Sequence, residues 1–280
     1  MPSASGDGRR EEKKILFFKI MIHKPKKSLG QNFLKSIPAL NKIVEAGEVS
    51  KEDIILEIGP GKGALTEKLL EKAKQVIAVE TDQNLSEFLK IKFKKEINEK
   101  NLILVKDDIL NFNTNAYSLK PKAYKLIANI PYNITGAILK KFLTEENQPE
   151  RMVLMVQNEV AKRITASDGK ESILSVSVKA YGGPKIVMKV PARYFSPSPN
   201  VDSAVIAIKN ISRKIFIENK INEEKFWEIV RAGFAHKRKK LSSNLKTFLK
   251  YGGIASVEWL GNKRAEELTL FDWIKLVKMI

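Results

Sequence analysis

Apolar runs and amphipathic stretches alternate along most of this chain. Residues 53–58, 75–79, 102–105, 124–128 and 152–156 are mostly apolar runs, each followed within two residues by Gly, Glu, Asp or Asn, as expected of strands buried on both faces. Residues 37–46, 64–72, 82–97, 134–143 and 159–164 follow them with apolar positions at helical spacing, and Asp82 is a candidate N-cap for the third. This order predicts a doubly wound α/β sheet. Two more strands are expected at residues 185–190 and 204–208. Residues 171–181 alternate apolar and polar, which locally favours strand and leaves helix open. After about residue 211 the period changes: Phe226, Ile229, Val230 and Phe234 fall on one helical face, as do Leu241, Leu245 and Phe248, and Phe271, Ile274 and Val277. A small all-helical second domain is therefore expected over residues 211–280.

The first 23 residues stand apart as a basic, poorly ordered tail, and Met21 serves equally well as a start. Ile15-Leu-Phe-Phe18 after Arg9-Arg10 is a weak match to a signal peptide. Lys19 interrupts it, and Lys24, Lys26 and Lys27 stand where a cleavage site of small residues belongs. No apolar stretch reaches the roughly 18 residues of a membrane span, so a cytoplasmic protein is expected.

Composition narrows the chemistry. Lys and Arg number 50 against 32 Asp and Glu, a net charge of +18, so a polyanion is the expected partner and nucleic acid the first candidate. The absence of cysteine excludes disulfides, thiol nucleophiles and Cys-ligated zinc, and two histidines make a His-based triad or metal cluster a poor fit. No metal is expected.

The turn Glu57-Ile-Gly-Pro-Gly-Lys-Gly63 follows the first buried strand. Read as Gly59-x-Gly61-x-x-Ala64, with Glu80 downstream, it also fits the dinucleotide fingerprint. Nicotinamide and adenosylmethionine enzymes share the physics: glycines let the backbone approach a nucleoside, and a carboxylate clamps two hydroxyls at roughly 1.5–3 kcal/mol per charge-assisted bond. A mouth rimmed by Glu57, Glu80 and Asp108 favours a cationic ligand without a pyrophosphate. Glu80 and Asp108 also read as caps, and sequence alone does not choose between Asp107 and Asp108.

Asn129-Ile-Pro-Tyr132 closes the fourth strand and carries the most information. The Asn129 amide can accept a hydrogen bond from an exocyclic amine, Pro131 stiffens the turn and frees the Ile130 or Pro131 carbonyl for a second, and the Tyr132 ring can stack on a flat base. Tyr194-Phe-Ser-Pro-Ser-Pro199 places a second ring, Phe195, on a rigid loop, either as a plug in the core or as the other face of a base clamp. Stacking is worth about 1–3 kcal/mol per base, comparable with the cost of extruding a nucleotide. His236-Lys-Arg-Lys-Lys240 and the cluster Lys24, Lys26, Lys27 are candidate phosphate contacts that set affinity rather than site choice.

Taken together these residues resemble the small-subunit ribosomal RNA adenine dimethyltransferase family. The resemblance rests on Gly30-Gln-Asn-Phe-Leu34, Glu57-Ile-Gly-Pro-Gly61, Val79-Glu80-x-Asp82, Asp108, Asn129-Ile-Pro-Tyr-Asn133, Phe195-x-Pro-x-Pro199 and Asn200-Val-Asp-Ser-Ala-Val205. It implies a Rossmann-like class I methyltransferase sheet over residues 24–210, a helical rRNA-binding domain over residues 211–280, and a helix at residues 171–181. It implies S-adenosylmethionine bound near Asn32, Leu34, Gly59, Gly61, Glu80, Asp108 and Asn129, with Glu80 on the ribose and Asp108 on the cofactor's adenine. Asn129, Pro131, Tyr132 and Phe195 become the catalytic set, and Lys26, Lys27, Lys237, Arg238, Lys239 and Lys240 the RNA contacts. The implied activity is dimethylation of two adjacent adenosines in the 3′-terminal hairpin loop of small-subunit rRNA, within the small ribosomal subunit or its precursor, by a monomer. Two rivals share much of this pattern: a large-subunit rRNA dimethyltransferase of the macrolide-resistance type, and a ribosome-assembly or transcription factor that keeps the fold without the chemistry. Ser242-Ser-Asn-Leu245 departs from the more basic segment that relatives often carry there.

Overall fold

The computed structural model describes residues 24–26, 29–248 and 259–280; the tail expected before Lys24, and Lys27, lie outside the described residues. In chain order the first elements are β1 (Phe33–Leu34), α1 (Ile37–Ala46), β2 (Ile54–Ile58), α2 (Ala64–Leu70), β3 (Gln75–Glu80), α3 (Gln83–Lys92), α4 (Lys94–Asn98), β4 (Leu102–Lys106), β5 (Lys125–Asn129) and α5 (Thr135–Thr144). They continue with β6 (Arg151–Gln157), α6 (Asn158–Thr165), α7 (Ile173–Lys179), β7 (Gly183–Val190), β8 (Phe195–Ser196) and β9 (Ser203–Lys209).

Seven strands form one sheet in the order β4-β3-β2-β5-β6-β9-β7, while β1 pairs antiparallel with β8 in a separate two-stranded ribbon. Strands β2 to β6 are mutually parallel, so their carboxyl ends open on one edge. The chain order reverses between β2 and β5, and the crevice outside such a switch point is where open α/β sheets bind ligands. Ile58 pairs with Ala128 across that switch, so Gly59 and Asn129 leave the sheet side by side.

The chain separates into two compact units. One comprises Met1–Asn158 and Val187–Ala207, the other Glu159–Ile186 and Ile208–Ile280. The first has a continuous apolar core in which α1 contributes Ala39, Leu40, Ile43 and Val44, all buried, and Ser36 caps that helix by accepting from the Ala39 amide. Ile55, Val76, Leu102 and Ile127 supply the sheet side of the same core.

Two local expectations needed the structure to settle. The helix expected over residues 82–97 breaks at Phe93, whose backbone leaves the helical region while its ring turns inward. A Cβ on Gly63 would lie 2.5 Å from that ring, so the break seats Phe93 under the glycine turn. Residues 171–181 hold a helix, α7, and not the strand their alternation favours locally. Ser172 and Ser175 form a reciprocal capping box at its start, a local preference that alternation does not register.

The second unit adds α8 (Lys214–Asn219), α9 (Glu223–Gly233), α10 (Leu241–Asn244) and α11 (Leu270–Met279). Phe226, Ile229, Val230, Leu241, Leu245 and Trp273 form its centre, each fully buried. Gly233 lets α9 and α11 meet, since a Cβ there would lie 2.4 Å from the Trp273 ring. On α11 the buried face is Trp273, Ile274, Leu276 and Val277, whereas Phe271, expected among the core positions, is 75% exposed. No described helix is long and apolar enough to cross a membrane.

Candidate active site

A cavity of about 720 Å³ opens at the switch point, lined by the glycine turn, the ends of β3 and β5, and the segment around β1. The sequence requires that turn to be glycine. Gly59 and Gly61 sit at φ +62° and +60°, in the left-handed region. Space is open where a Cβ on Gly59 would stand, whereas a Cβ on Gly61 would lie 3.0 Å from the Phe33 ring. Phe33 thus lies against the turn, with Lys62 Nζ 5.2 Å from its ring centre.

Glu80 organises the floor. Its Oε2 accepts from the Gly61 amide at 3.0 Å and its Oε1 from the Asp82 amide at 2.8 Å. Burial pushes its pKa up, and those two amides partly offset the rise. Glu57 is more extreme: it is 1% exposed, and burial lifts its carboxyl to about 8, eased by the nearby Thr66 hydroxyl and reinforced by Glu80. Neither Glu57 Oε2 nor Thr66 Oγ1 has a partner in hydrogen-bond geometry. The carboxylate rim expected from sequence is therefore corrected in part: Glu57 and Glu80 are buried beneath the mouth, and only Asp107 and Asp108 are exposed. Asp108 Oδ1 accepts from the Leu110 amide, and Asp107 Oδ1 from the Asp108 amide, so both also hold the turn after β4.

The catalytic-motif residues meet this floor from β5. Asn129 Nδ2 donates to the Asn32 carbonyl at 3.3 Å, which leaves Oδ1 as the amide's acceptor. Pro131 has φ −60° and leads into a short 3₁₀ turn, Tyr132–Ile134; its carbonyl accepts a long bond, 3.3 Å, from the Ile134 amide. Tyr132 is pinned at both ends, its carbonyl accepting from Thr135 Oγ1 and its hydroxyl sharing a 2.6 Å bond with Ser203 Oγ. Burial raises the Tyr132 pKa, less so for that bond, so the ring is neutral.

Asn32, Leu34, Gly59, Gly61, Glu80, Asp108, Asn129, Pro131 and Tyr132, all expected at the site, line the one cavity. Phe195 does not. It is 2% exposed in the core, in register with Leu34 of β1, so the expected open stacking face is absent and the plug in the core is what the structure has. The reason is the β1–β8 ribbon, a pairing too short to read from sequence. Lys26, expected on RNA, pairs with Asp82 Oδ2 at 3.1 Å while its side chain stays 44% exposed, and Gln31 Nε2 donates to the same oxygen at 2.9 Å. Burial would raise the Asp82 pKa, but these two donors outweigh it and hold the carboxyl below its ordinary range. This tether fastens the segment before β1, and nothing in sequence marked it beyond Asp82 as a cap. Lys237, Arg238, Lys239 and Lys240 lie together on an exposed turn of the second unit, which Asn244 Nδ2 braces through the Gly233 and His236 carbonyls.

Comparison with known proteins decides the family. The profile described as "Ribosomal RNA adenine dimethylase" matches residues 22–280. The chain belongs to this family. It is 41% identical over 259 residues to the ribosomal RNA small subunit methyltransferase A of Dehalococcoides mccartyi, covering 90% of this chain and 87% of that protein. The protein of the same name from Fusobacterium nucleatum is 39% identical over 267 residues, covering 92% and 98%. Among solved structures, a dimethyladenosine transferase from Plasmodium falciparum aligns with a TM-score of 0.74 and 29% identity over 87% of this chain and 95% of that one. The 23S rRNA methyltransferase ErmE aligns with a TM-score of 0.70 and 25% identity, over 89% and 99%. As a family member the chain is an rRNA adenine dimethyltransferase on a class I methyltransferase fold.

Proposed function

We propose that the protein dimethylates the exocyclic amines of two adjacent adenosines in the 3′-terminal hairpin loop of small-subunit rRNA. It would do so as a cytoplasmic monomer, on the small subunit or its precursor, with S-adenosylmethionine and no metal. The name shared by relatives near 40% identity supports the small subunit over the large one, for which the likeness to ErmE is the weaker argument. The observation that carries the chemistry is the Asn129 amide, oriented by Asn32 so that an acceptor oxygen remains at the cavity.

The residues present fit the cofactor. The open space at Gly59 admits a nucleoside against the backbone, and Glu80 stands below with carboxylate lone pairs to spare for two hydroxyls. Asn32, Leu34, Gly61 and Asp108 complete that set. When bound, S-adenosylmethionine supplies a methyl group activated on a sulfonium centre.

Asn129 Oδ1 accepts one proton of the adenine amine, and a main-chain carbonyl accepts the other. The Pro131 carbonyl already accepts from Ile134, which favours Ile130. The two acceptors draw the nitrogen toward a tetrahedral geometry and bring its lone pair out of conjugation with the ring. Tyr132, held by Ser203 and Thr135, offers its ring to the base without reorganising. A strong base is unnecessary, because the extra proton leaves to solvent after the new C–N bond forms. Positioning carries most of the acceleration.

Residues 24–210 act in this reading as the methyltransferase domain and residues 211–280 as the rRNA-binding domain, with Lys237 to Lys240 on phosphates. Asn129→Ala should still bind S-adenosylmethionine and lose roughly 100-fold or more in turnover, by analogy with removing one preorganised polar contact. Dimethylation of small subunits by that variant at the parent's rate would defeat the assignment.

A further inference from the structure

The α11 helix presents two unlike faces. Its buried face follows the usual apolar pattern, but Phe271, Lys275 and Lys278 recur at i, i+4 and i+7 on the opposite side, and all three are exposed. A lone exposed phenylalanine on a surface needs no explanation. This one has particular neighbours. Lys275 Nζ lies 4.6 Å from the centre of the Trp259 ring, and Lys263 Nζ lies 5.5 Å from the same centre. Two ammonium groups share one indole, and no described carboxylate forms an ion pair with either. The ring quadrupole draws both in, and their positive charge remains available to an anion.

The surface is continuous with the basic turn, because the Leu241 amide, directly after Lys240, donates to the Lys263 carbonyl at 2.8 Å. Lysines beside an exposed aromatic ring are an arrangement that single-stranded nucleic acid binds, a base on the Phe271 ring and phosphates on the lysines that the half-buried Trp259 holds. Paired bases already stack on each other and offer no face, so the arrangement selects unpaired nucleotides.

We propose that Phe271, Lys275, Lys263 and Trp259 form a stacking platform for an unpaired stretch of rRNA outside the nucleotides that are methylated. The proposal rests on the reading of rRNA as substrate. Phe271 takes a base, and Lys275 and Lys263 take the flanking phosphates.

The test measures binding of the full-length protein to purified small subunits across a salt series, alongside turnover at saturating subunits. Phe271→Leu should weaken binding by roughly tenfold, as expected for losing one stacked base. Phe271→Tyr, which keeps the ring, should bind as the parent does. Lys275→Gln should weaken binding and lower the slope of log affinity against log salt by about 1. Turnover at saturation and affinity for S-adenosylmethionine should not change in any of them. Equal binding by Phe271→Leu and the parent, or an unchanged salt slope in Lys275→Gln, overturns the platform. So does a loss seen with intact subunits but not with protein-free small-subunit rRNA, since the face would then meet a ribosomal protein. Failure of the parent itself to bind or methylate small subunits would instead remove the reading on which the proposal stands.

Discussion

Glu57 makes the stability of the first unit depend on pH in an unusual direction. Its carboxyl is 1% exposed, and burial, reinforced by Glu80, lifts it from an ordinary value of 4.5 to about 8. Between those values the folded protein holds a proton that the unfolded chain releases. The group is neutral in both states below pH 4.5, so it costs nothing there, and the penalty grows as pH rises until the folded carboxyl ionises. Each pH unit in that window removes about 1.4 kcal/mol of stability. Between pH 5 and 8 the loss is therefore roughly 3 kcal/mol. Glu57→Gln keeps the shape and removes the titration. An amide buried beside the unpartnered Thr66 hydroxyl carries its own cost of about 1–3 kcal/mol, but that cost does not vary with pH. The informative quantity is thus the difference between parent and variant at several pH values, measured by denaturant unfolding. The variant should gain on the parent by roughly 3 kcal/mol from pH 5 to pH 8, a large change on a typical stability of about 5–15 kcal/mol. A constant difference over that range would show that Glu57 titrates normally, and the argument from burial would fall.

Three further substitutions separate structural from chemical roles. Phe195→Ala removes a ring from the core and should cost about 3–5 kcal/mol in unfolding free energy, with binding of small subunits by the folded fraction unchanged; weaker RNA binding at full stability would return Phe195 to the base clamp. Tyr132→Phe keeps the ring and loses the Ser203 bond, so about 1 kcal/mol of stability should go while most turnover persists, and an inactive variant would mean that the hydroxyl itself takes part. Gly61→Ala forces an alanine to φ +60° against the Phe33 ring, which should cost about 1–3 kcal/mol and weaken S-adenosylmethionine binding in calorimetry; unaltered affinity would argue that the turn does not contact the cofactor.

The sheet could be read from sequence because each central strand is a short apolar run ended by a polar residue, a pattern that little else produces. The glycine turn and Asn129-Ile-Pro-Tyr132 were legible for a related reason: each demands residue types that ordinary packing does not. What escaped depends on partners far away in sequence. Gln31 and Asp82 meet across 51 positions, and no local signal in either names the other. Phe195 reads equally as a core plug or a base clamp until β8 pairs with β1 and draws it inward. The break at Phe93 answers to the glycine turn opposite it rather than to helix propensity. Phe271 kept the apolar period of α11 while lying on the other face, because spacing of i, i+3 and i+6 drifts around a helix and does not fix which side is buried.

Charge ties the site to its surroundings. The protein carries +18 overall, and the cavity lining brings Glu57, Glu67, Glu80, Asp107 and Asp108 together with Lys35, Lys62, Lys68 and Lys92. A cationic methyl donor and a polyanionic substrate need opposite fields. Lysines exposed on the basic turn attract phosphates over a Debye length of about 8 Å at physiological salt. Burial keeps Glu57 protonated at neutral pH, so it adds no negative charge to that lining. A carboxylate at position 57 with an ordinary pKa would add a negative charge inside the cavity, so burying Glu57 shifts the charge balance of the lining toward neutral.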